Sequence, residues 1–470
     1  MKTQPGFKKA LAVFKEAATE VPAYKAMLRK YKVNPRSIRT LKDFQKLPCM
    51  DKKGYIYKYP LEDLFPGRRI PAMAYASSGS SGKPTFWFRG DEQEHAGGDL
   101  HERIFKDVFG IKKDETTLVI VCFAMGVWVA GNYTLAACRS VARKGYRITT
   151  ITPGIEREDI MNCLQNLAPR FKNVVIAGYP PFLMDIFQEV TRRGMNIPAK
   201  IKVLAAGDSF SEEWREDVAK LLNIKKESMC NVYGSADAGI LGFETPLSIS
   251  LRQRANKNPE LSKELFGAQP RLPGFFQYDP DSVFFEERKG ELLLTAATAC
   301  PLIRYNIHDI GKVFSSEDIA HIAATYHLKE KRTGFPMVAI CGRTDVAVTF
   351  YALNIYPEHI RAALEDKRVA KFLSGNFFAY NKTGRGSKTQ ALHMFLELVP
   401  GVQPSLARAA LARTVIVEKL MTLNTEFRKL HSIIGNKALP LVILKEYGNV
   451  LPKKVRGLMS MKGKKPKMSS

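Results

Sequence analysis

The chain has 470 residues, 45% hydrophobic and 25% charged, so it is neither a disordered tail, a coiled coil nor a collagen, and it is long enough to bury a large core. At roughly 100–200 residues per domain, it holds about two to four domains. Lys and Arg number 72 against 46 Asp and Glu, a net charge of +26, which suits a polyanionic partner: nucleic acid, an anionic membrane surface or a nucleotide.

Residues 5–70 read as helical, with Phe14, Val21, Tyr24 and Leu28 at helix spacing. Thr116 to Cys138 carries no charge and is long enough to cross a bilayer, but its contents argue against a span. Leu118–Phe123 is a short β-branched run, and Gly126, Gly131 and Asn132 interrupt the residues beyond it. That pattern predicts a buried strand, a loop and a helix. Apolar runs at Leu118–Phe123, Ile148–Ile151, Val174–Ala177 and Ile201–Ala205 alternate with amphipathic stretches at Glu156–Leu167, Pro181–Arg193 and Glu212–Leu222. Strand, helix, strand at this spacing predicts parallel α/β construction.

Beyond Gly290 the pattern changes. Glu291–Thr295 and Pro301–Tyr305 read as antiparallel strands, and Ser315–Phe335 has no clear period. A boundary is expected near Gly342–Asp345. After it, Phe350–Leu353, Met394–Val399 and Leu441–Leu444 read as strands, and Pro357–Leu364 and Pro404–Phe427 as helices. The expected division is a large domain over 1–343 and a small α+β domain over 344–470. The small domain ends in a basic tail, where Lys445, Lys453, Lys454, Arg456, Lys462, Lys464, Lys465 and Lys467 face only Glu446.

Seven scattered cysteines, an odd number without metal-ligand spacing, argue against a disulfide framework and a structural zinc site. With no signal peptide read at the N-terminus, a cytoplasmic location is expected. No zinc-finger, RNA-recognition or helix-turn-helix signature accompanies the charge, so no specific nucleic acid partner is expected.

Four short motifs carry chemistry. In Ser77-Ser78-Gly79-Ser80-Ser81-Gly82-Lys83-Pro84-Thr85, hydroxyls, backbone amides and Lys83 can meet phosphate oxygens. It is not the usual nucleotide P-loop, because Pro84 comes directly after the lysine. In Tyr233-Gly234-Ser235-Ala236-Asp237, the aromatic ring can stack on a base and the carboxylate can hold Mg²⁺. In Arg304-Tyr305-Asn306-Ile307-His308-Asp309-Ile310-Gly311, Asp309 can accept from ribose hydroxyls or cap a hairpin turn. Cys341-Gly342-Arg343-Thr344-Asp345 reads as a turn leading into a strand.

In this order and at these separations, the four resemble the motifs of the adenylate-forming superfamily, within it the phenylacetate–CoA ligase-like branch, from about residue 45 to the end of the chain. Two weaker matches are Ala206-Gly207-Asp208-Ser209-Phe210-Ser211-Glu212-Glu213-Trp214-Arg215 and Met125-Gly126-Val127-Trp128. The resemblance implies a large multi-subdomain α/β domain with a small mobile α+β domain. It also implies ATP-dependent activation of a carboxylic acid to an acyl-adenylate, followed by transfer to CoA, with Mg²⁺ as cofactor. Residues 77–83, with Thr85, would hold the phosphates. Ala206, Gly207, Asp208, Tyr233, Gly234 and Ser235 would take the adenine, and Asp309 and Arg343 the ribose. Asp237 would hold the metal, and Asp345 would be the hinge. Phe123, Met125, Trp128, Tyr133 and Tyr179 would line an acyl pocket suited to an aryl or arylacetic acid, and Lys83 and Lys464 would be catalytic. A homodimer is a further expectation.

The chain departs from the pattern in four places. Asp237 and Asp208 stand where the family has Glu. Ala352-Leu353 stands where the branch has a Gly near the pantetheine tunnel. No lysine of the tail sits in the family's usual Gly-Lys context except Lys464 after Gly463. These departures motivate two alternatives: transfer to an amine, a carrier protein or a partner cysteine, and a nucleotide-binding paralogue without turnover.

Overall fold

The computed structural model describes residues 4–77, 85–197, 199–207, 209–267, 269, 272–330, 334–343, 348–351, 353–383, 390–447 and 449. The chain forms two compact units, Met1–Ser77 with Phe86–Thr344, and Ser78–Thr85 with Asp345–Ser470.

The first unit is built on one large sheet. Its strands come after a short ribbon of β1 (Met73–Ser77) and β2 (Thr85–Arg89). They are β3 (Thr117–Cys122), β4 (Ile148–Ile151), β5 (Asn173–Gly178), β6 (Lys200–Ala206), β7 (Met229–Ser235), β8 (Gly239–Phe243), β9 (Gly274–Gln277), β10 (Val283–Arg288), β11 (Glu291–Ala296), β12 (Leu302–Phe314) and β13 (Met337–Arg343). Across the sheet they run in the order β10-β11-β12-β13-β9-β8-β7-β6-β5-β3-β4. Strands β4, β3, β5, β6 and β7 pair in parallel. From β7 to β10 every pairing is antiparallel. The parallel and antiparallel stretches of the sequence therefore share one mixed α/β sheet.

Strands β3 and β5 are buried along their whole length, which explains unbroken apolar runs without alternation. Helices Val129–Arg143 and Pro180–Arg192 come after them as crossovers. The uncharged Thr116–Cys138 stretch is thus a strand, a loop and a helix start. Among the described residues, no helix is long and apolar enough to cross a membrane. The N-terminal helices Phe7–Glu20 and Pro22–Lys30 cover the antiparallel end, where Phe7 packs on Phe44 and Phe284 and Phe14 on Tyr24.

Two expectations need correction in this unit. The stretch without clear period contains helix Ser316–Thr325, opened by a capping box in which Ser315 and Asp318 satisfy each other's backbone amides. The Arg304…Gly311 motif is no hairpin turn but lies inside the 13-residue strand β12. Its glycine is demanded by packing, since a Cβ on Gly311 would stand 2.3 Å from the carbonyl oxygen of Ala339 on β13.

The second unit holds a hairpin of β14 (Val348–Phe350) and β15 (Leu353–Ile355), and a three-stranded sheet of β16 (Leu373–Thr383), β17 (Gln390–Leu398) and β18 (Leu441–Lys445). The expected single strand Phe350–Leu353 is instead divided between β14 and β15, whose ends Phe350 and Leu353 pair with each other. Strands β17 and β18 are parallel, so the chain must cross over between them. It does so through helices Leu406–Leu423 and Thr425–Ile434. The expected single helix Pro404–Phe427 breaks at Asn424, whose side chain accepts from the amide of Phe427 and starts a new helix. Ile360, Met394, Leu396, Val415, Ile416 and Phe427 belong to its core.

Candidate active site

Of the candidate residues described, Ala206, Gly207, Tyr233, Asp237 and Asp309 come together where parallel strands β6 and β7 end. Ala206 pairs with Val232, so Ala206-Gly207 and Tyr233 emerge side by side at the carboxyl edge of the sheet. That edge is where open α/β sheets take their ligands. Gly207 has φ 95°, a left-handed turn that favours glycine as the chain leaves β6.

Tyr233 and Asp309, 76 residues apart, are in direct contact: the tyrosine hydroxyl donates to Asp309 Oδ2 at 2.5 Å. Both are buried. The Tyr233 ring stacks on Phe276 at 5.5 Å and on Phe285 at 6.4 Å. It thus lies among protein rings, at the edge where the motifs lead one to expect adenine. Asp309 and Arg343 are partners across β12 and β13.

Asp237 comes just after β7 and is 7% exposed. Its Oδ2 accepts from the hydroxyl of Tyr305 at 2.6 Å, and its Oδ1 lies 3.3 Å from the ammonium of Lys52. Burial, and then the facing Asp237 carboxylate, push the Tyr305 phenol well above its ordinary pKa, so it stays a donor. Lys52 also lies 5.6 Å from the centroid of the Trp87 ring. Trp87 in turn packs edge-on against Tyr305 at 6.2 Å and donates from Nε1 to Ser77 Oγ at 3.1 Å. Ser77 thus joins this cluster at the end of β1.

As a seat for Mg²⁺, Asp237 offers a single carboxylate, paired here with Tyr305 and Lys52, and a nucleotide's phosphates would have to supply further oxygens. Both of its oxygens are engaged, and no three His, Cys, Asp or Glu converge among the described residues. An ion about 2.1 Å from Oδ1 would lie within roughly 5 Å of the Lys52 ammonium. At an effective dielectric near 20, that repulsion is about 6 kcal/mol, set against roughly 16 kcal/mol of attraction to the carboxylate itself at about 2.1 Å. No step of the proposed chemistry is routed through a metal on this carboxylate.

Of the acyl-pocket candidates, Phe123 and Met125 belong to one apolar cluster at the end of β3. Trp128 is tied to β1 by an isolated parallel bridge to Ala76, which brings it beside Ser77. Tyr133, on the next helix, is buried under the guanidinium of Arg89, 4.5 Å from its ring centroid. Tyr179 is half-buried and precedes helix Pro180–Arg192. Residues 78–84, Asp208, Asp345 and Lys464 lie outside the described residues.

Three features escaped the sequence reading. Arg89, 1% exposed, donates from Nη2 to the carbonyl of Ala236 at 3.1 Å, next to Asp237. Its own burial pulls its pKa below the usual arginine range. The second is a buried charge network behind β6 and β7. Arg215 donates through Nη2 to both oxygens of Glu244, at 2.6 and 2.8 Å, and through Nε to Glu212 at 3.1 Å. Arg252 reaches Glu212 at 2.5 Å and the carbonyl of Phe210 at 2.5 Å. Glu244 also accepts from the amide of Asn231 at 2.9 Å. These bonds fix the segment after Gly207 against β7 and β8. The third is Lys52. Nothing around Arg89 or Lys52 in the sequence marks either as close to Asp237.

No known family profile matches the chain. It is 24% identical over 351 residues to a phenylacetate–coenzyme A ligase of Thermus thermophilus, covering 73% of this chain and 71% of that protein. It is 21% identical over 366 residues to the phenylacetate–coenzyme A ligase of Escherichia coli, covering 76% and 74%. A crystal structure of 2-hydroxyisobutyryl-CoA ligase, in complex with 2-HIB-AMP and CoA, superposes with a TM-score of 0.65 at 16% identity, over 97% of this chain and 91% of that one. The chain therefore has the fold of that CoA ligase, a mixed α/β sheet with the Tyr233 and Asp309 motifs in contact. By sequence it is phenylacetate–CoA ligase-like.

Proposed function

We propose that this protein is an AMP-forming acid–thiol ligase that activates a carboxylic acid with ATP and passes the acyl group to CoA. The observation that carries the reading is the Tyr233–Asp309 contact beside Ala206-Gly207, which joins three separate motifs at one sheet edge. The relatives from Thermus thermophilus and Escherichia coli are ligases of the same type.

The chemistry explains why such a site is needed. A carboxylate resists nucleophiles because it is negatively charged and lacks a good leaving group. Its oxygen attacks the α-phosphorus of ATP, pyrophosphate leaves, and the acyl carbon gains AMP as leaving group. The CoA thiolate then attacks that carbon and AMP departs. Two anions must meet in the first step, so the site must supply positive charge and fixed donors.

In this reading, Ser77 to Lys83, with Thr85, hold the phosphates. Ala206, Gly207, Asp208, Tyr233, Gly234 and Ser235 bound the adenine, and Asp309 and Arg343 hold the ribose. Phe123, Met125, Trp128, Tyr133 and Tyr179 favour an aryl or arylacetic acid, through apolar walls with few polar groups. Lys464 is the catalytic lysine of the tail. Asp345 is the hinge between a large domain over 1–343 and a small one over 344–470. Mg²⁺ accompanies the nucleotide. A cytoplasmic location suits the scattered, odd number of cysteines. The test of the adenylation step is ATP–pyrophosphate exchange with a panel of aryl, arylacetic and fatty acids. Exchange that requires one acid supports the reading, and exchange that ignores the acid contradicts it.

A further inference from the structure

We propose that Lys52 is a phosphate-binding residue of the adenylation site, and that Asp237 positions its ammonium. The inference rests on the adenylation reading and deepens it.

The placement of Lys52 is built rather than incidental. Two residues earlier, Met50 is strapped to β12: its amide donates to the carbonyl of Arg304 at 3.3 Å, and its carbonyl accepts from the amide of Asn306 at 2.8 Å. Lys52 then opens a short helical turn, Lys52–Ile56, in which Asp51 caps the amide of Gly54. Its side chain runs to Asp237 and the face of Trp87. Tyr305, from the same stretch of β12 that holds Met50, fixes the other oxygen of Asp237. The ammonium is thus located by a carboxylate, an indole and a strand, each tied to a motif of the site. Through Trp87 it is one residue removed from Ser77, where the Ser/Gly loop begins.

Charge supplies the reason. A lone buried carboxylate beside a polyphosphate would repel it. Lys52 cancels the charge of Asp237, and its side chain is 24% exposed where the carboxylate is nearly closed off. A lysine ammonium carries three donors, and its bonds to phosphate oxygens are charge-assisted. Removing the lysine alone would leave Asp237 to repel any phosphate-bearing ligand, so a direct contact is told apart only where Asp237 is neutral as well. A phosphate contact would affect only ligands that bear phosphate.

The experiment compares Lys52→Met and Lys52→Arg with the wild-type protein, and Lys52→Met/Asp237→Asn with Asp237→Asn alone. Calorimetry measures binding of α,β-methylene ATP and of adenosine, each in EDTA and again in Mg²⁺. The expected result is a loss of about 10–100-fold in α,β-methylene ATP affinity for Lys52→Met in EDTA, the worth of one charge-assisted hydrogen bond. Lys52→Arg should recover most of it, and adenosine binding should be unchanged in both variants. Unchanged α,β-methylene ATP binding in Lys52→Met, or a loss that disappears in the Asp237→Asn background, overturns the inference. So does a parallel loss of adenosine binding, which would mark Lys52 as structural. A wild-type protein that binds neither ligand overturns the adenylation reading itself, and with it this one.

Discussion

Replacing Glu244 by Gln tests whether the buried charge network holds the adenine-side edge in place. Glu244 and Arg215 are 1% and 0% exposed, so neither can turn to water. The carboxylate accepts two bonds from the guanidinium, at 2.6 and 2.8 Å, and one from the amide of Asn231 at 2.9 Å. Glutamine keeps one acceptor and presents an NH₂ group to a donor. It also leaves Arg215 and Arg252 with Glu212 alone, a buried excess of one positive charge. Breaking a buried pair costs about 3–5 kcal/mol, and because Glu212 still compensates in part, the expected loss is about 3 kcal/mol. Urea unfolding followed by tryptophan fluorescence suits the measurement, since Trp214 stacks on Phe210 at 4.5 Å within this region. In an Arg215→Met background the same substitution should cost about 1 kcal/mol or less, because the unpaired charge is gone. A loss below about 1 kcal/mol for the single variant, or strict additivity of the two, would refute the reasoning.

Burial holds the His101 ring at a pKa of about 4, against an ordinary 6.5, and Gly97 accepts from its Nδ1 at 2.9 Å. The unfolded chain therefore takes up a proton between pH 6.5 and 4 that the native state refuses. Stability is complete above pH 6.5 and falls through that window by about 3 kcal/mol, and His101→Gln should flatten that part of the stability–pH curve. A variant curve parallel to wild type would count against it. Asp309→Ala removes the acceptor of the Tyr233 hydroxyl together with the proposed ribose contact, and kcat/KM should fall on the order of 100-fold in both half-reactions. Unchanged kinetics would remove Asp309 from the site. Asp345→Pro, by stiffening the proposed hinge, should leave pyrophosphate exchange within about 3-fold of wild type while slowing thioester formation at least about 10-fold. Equal loss of both steps would argue against domain rotation.

Local signals carried much of the fold. The β-branched runs of β3, β5 and β6 announced buried parallel strands because burial on both faces removes any alternation. The features that escaped are set by distant partners or by single capping residues. Residues 404–427 look continuous by period, and only the Asn424 side chain, turned onto the amide of Phe427, divides them. The Ser315–Asp318 capping box is present in the letters but sits before a helix too weakly periodic to notice. At the site, the motifs supplied Tyr233, Asp237 and Asp309 as candidates, but not their contacts. The Tyr233–Asp309 bond exists because β7 and β12 converge from opposite halves of the sheet. Lys52 was invisible for the same reason: in a chain with 72 basic residues, only the strap of Met50 onto β12 distinguishes it. Glu212 and Arg215 lie in the amphipathic run Glu212–Leu222, and the partners that bury their charges, Glu244 and Arg252, are distant in sequence.

The most direct test of the central claim is product analysis by mass spectrometry. The protein is incubated with ATP, Mg²⁺ and CoA, with and without each carboxylic acid of the panel. The account predicts that one class of acid, aryl or arylacetic, yields AMP, pyrophosphate and the matching acyl-CoA in equal amounts. ATP consumption that gives ADP and phosphate, or AMP that forms at the same rate without any acid, would contradict it.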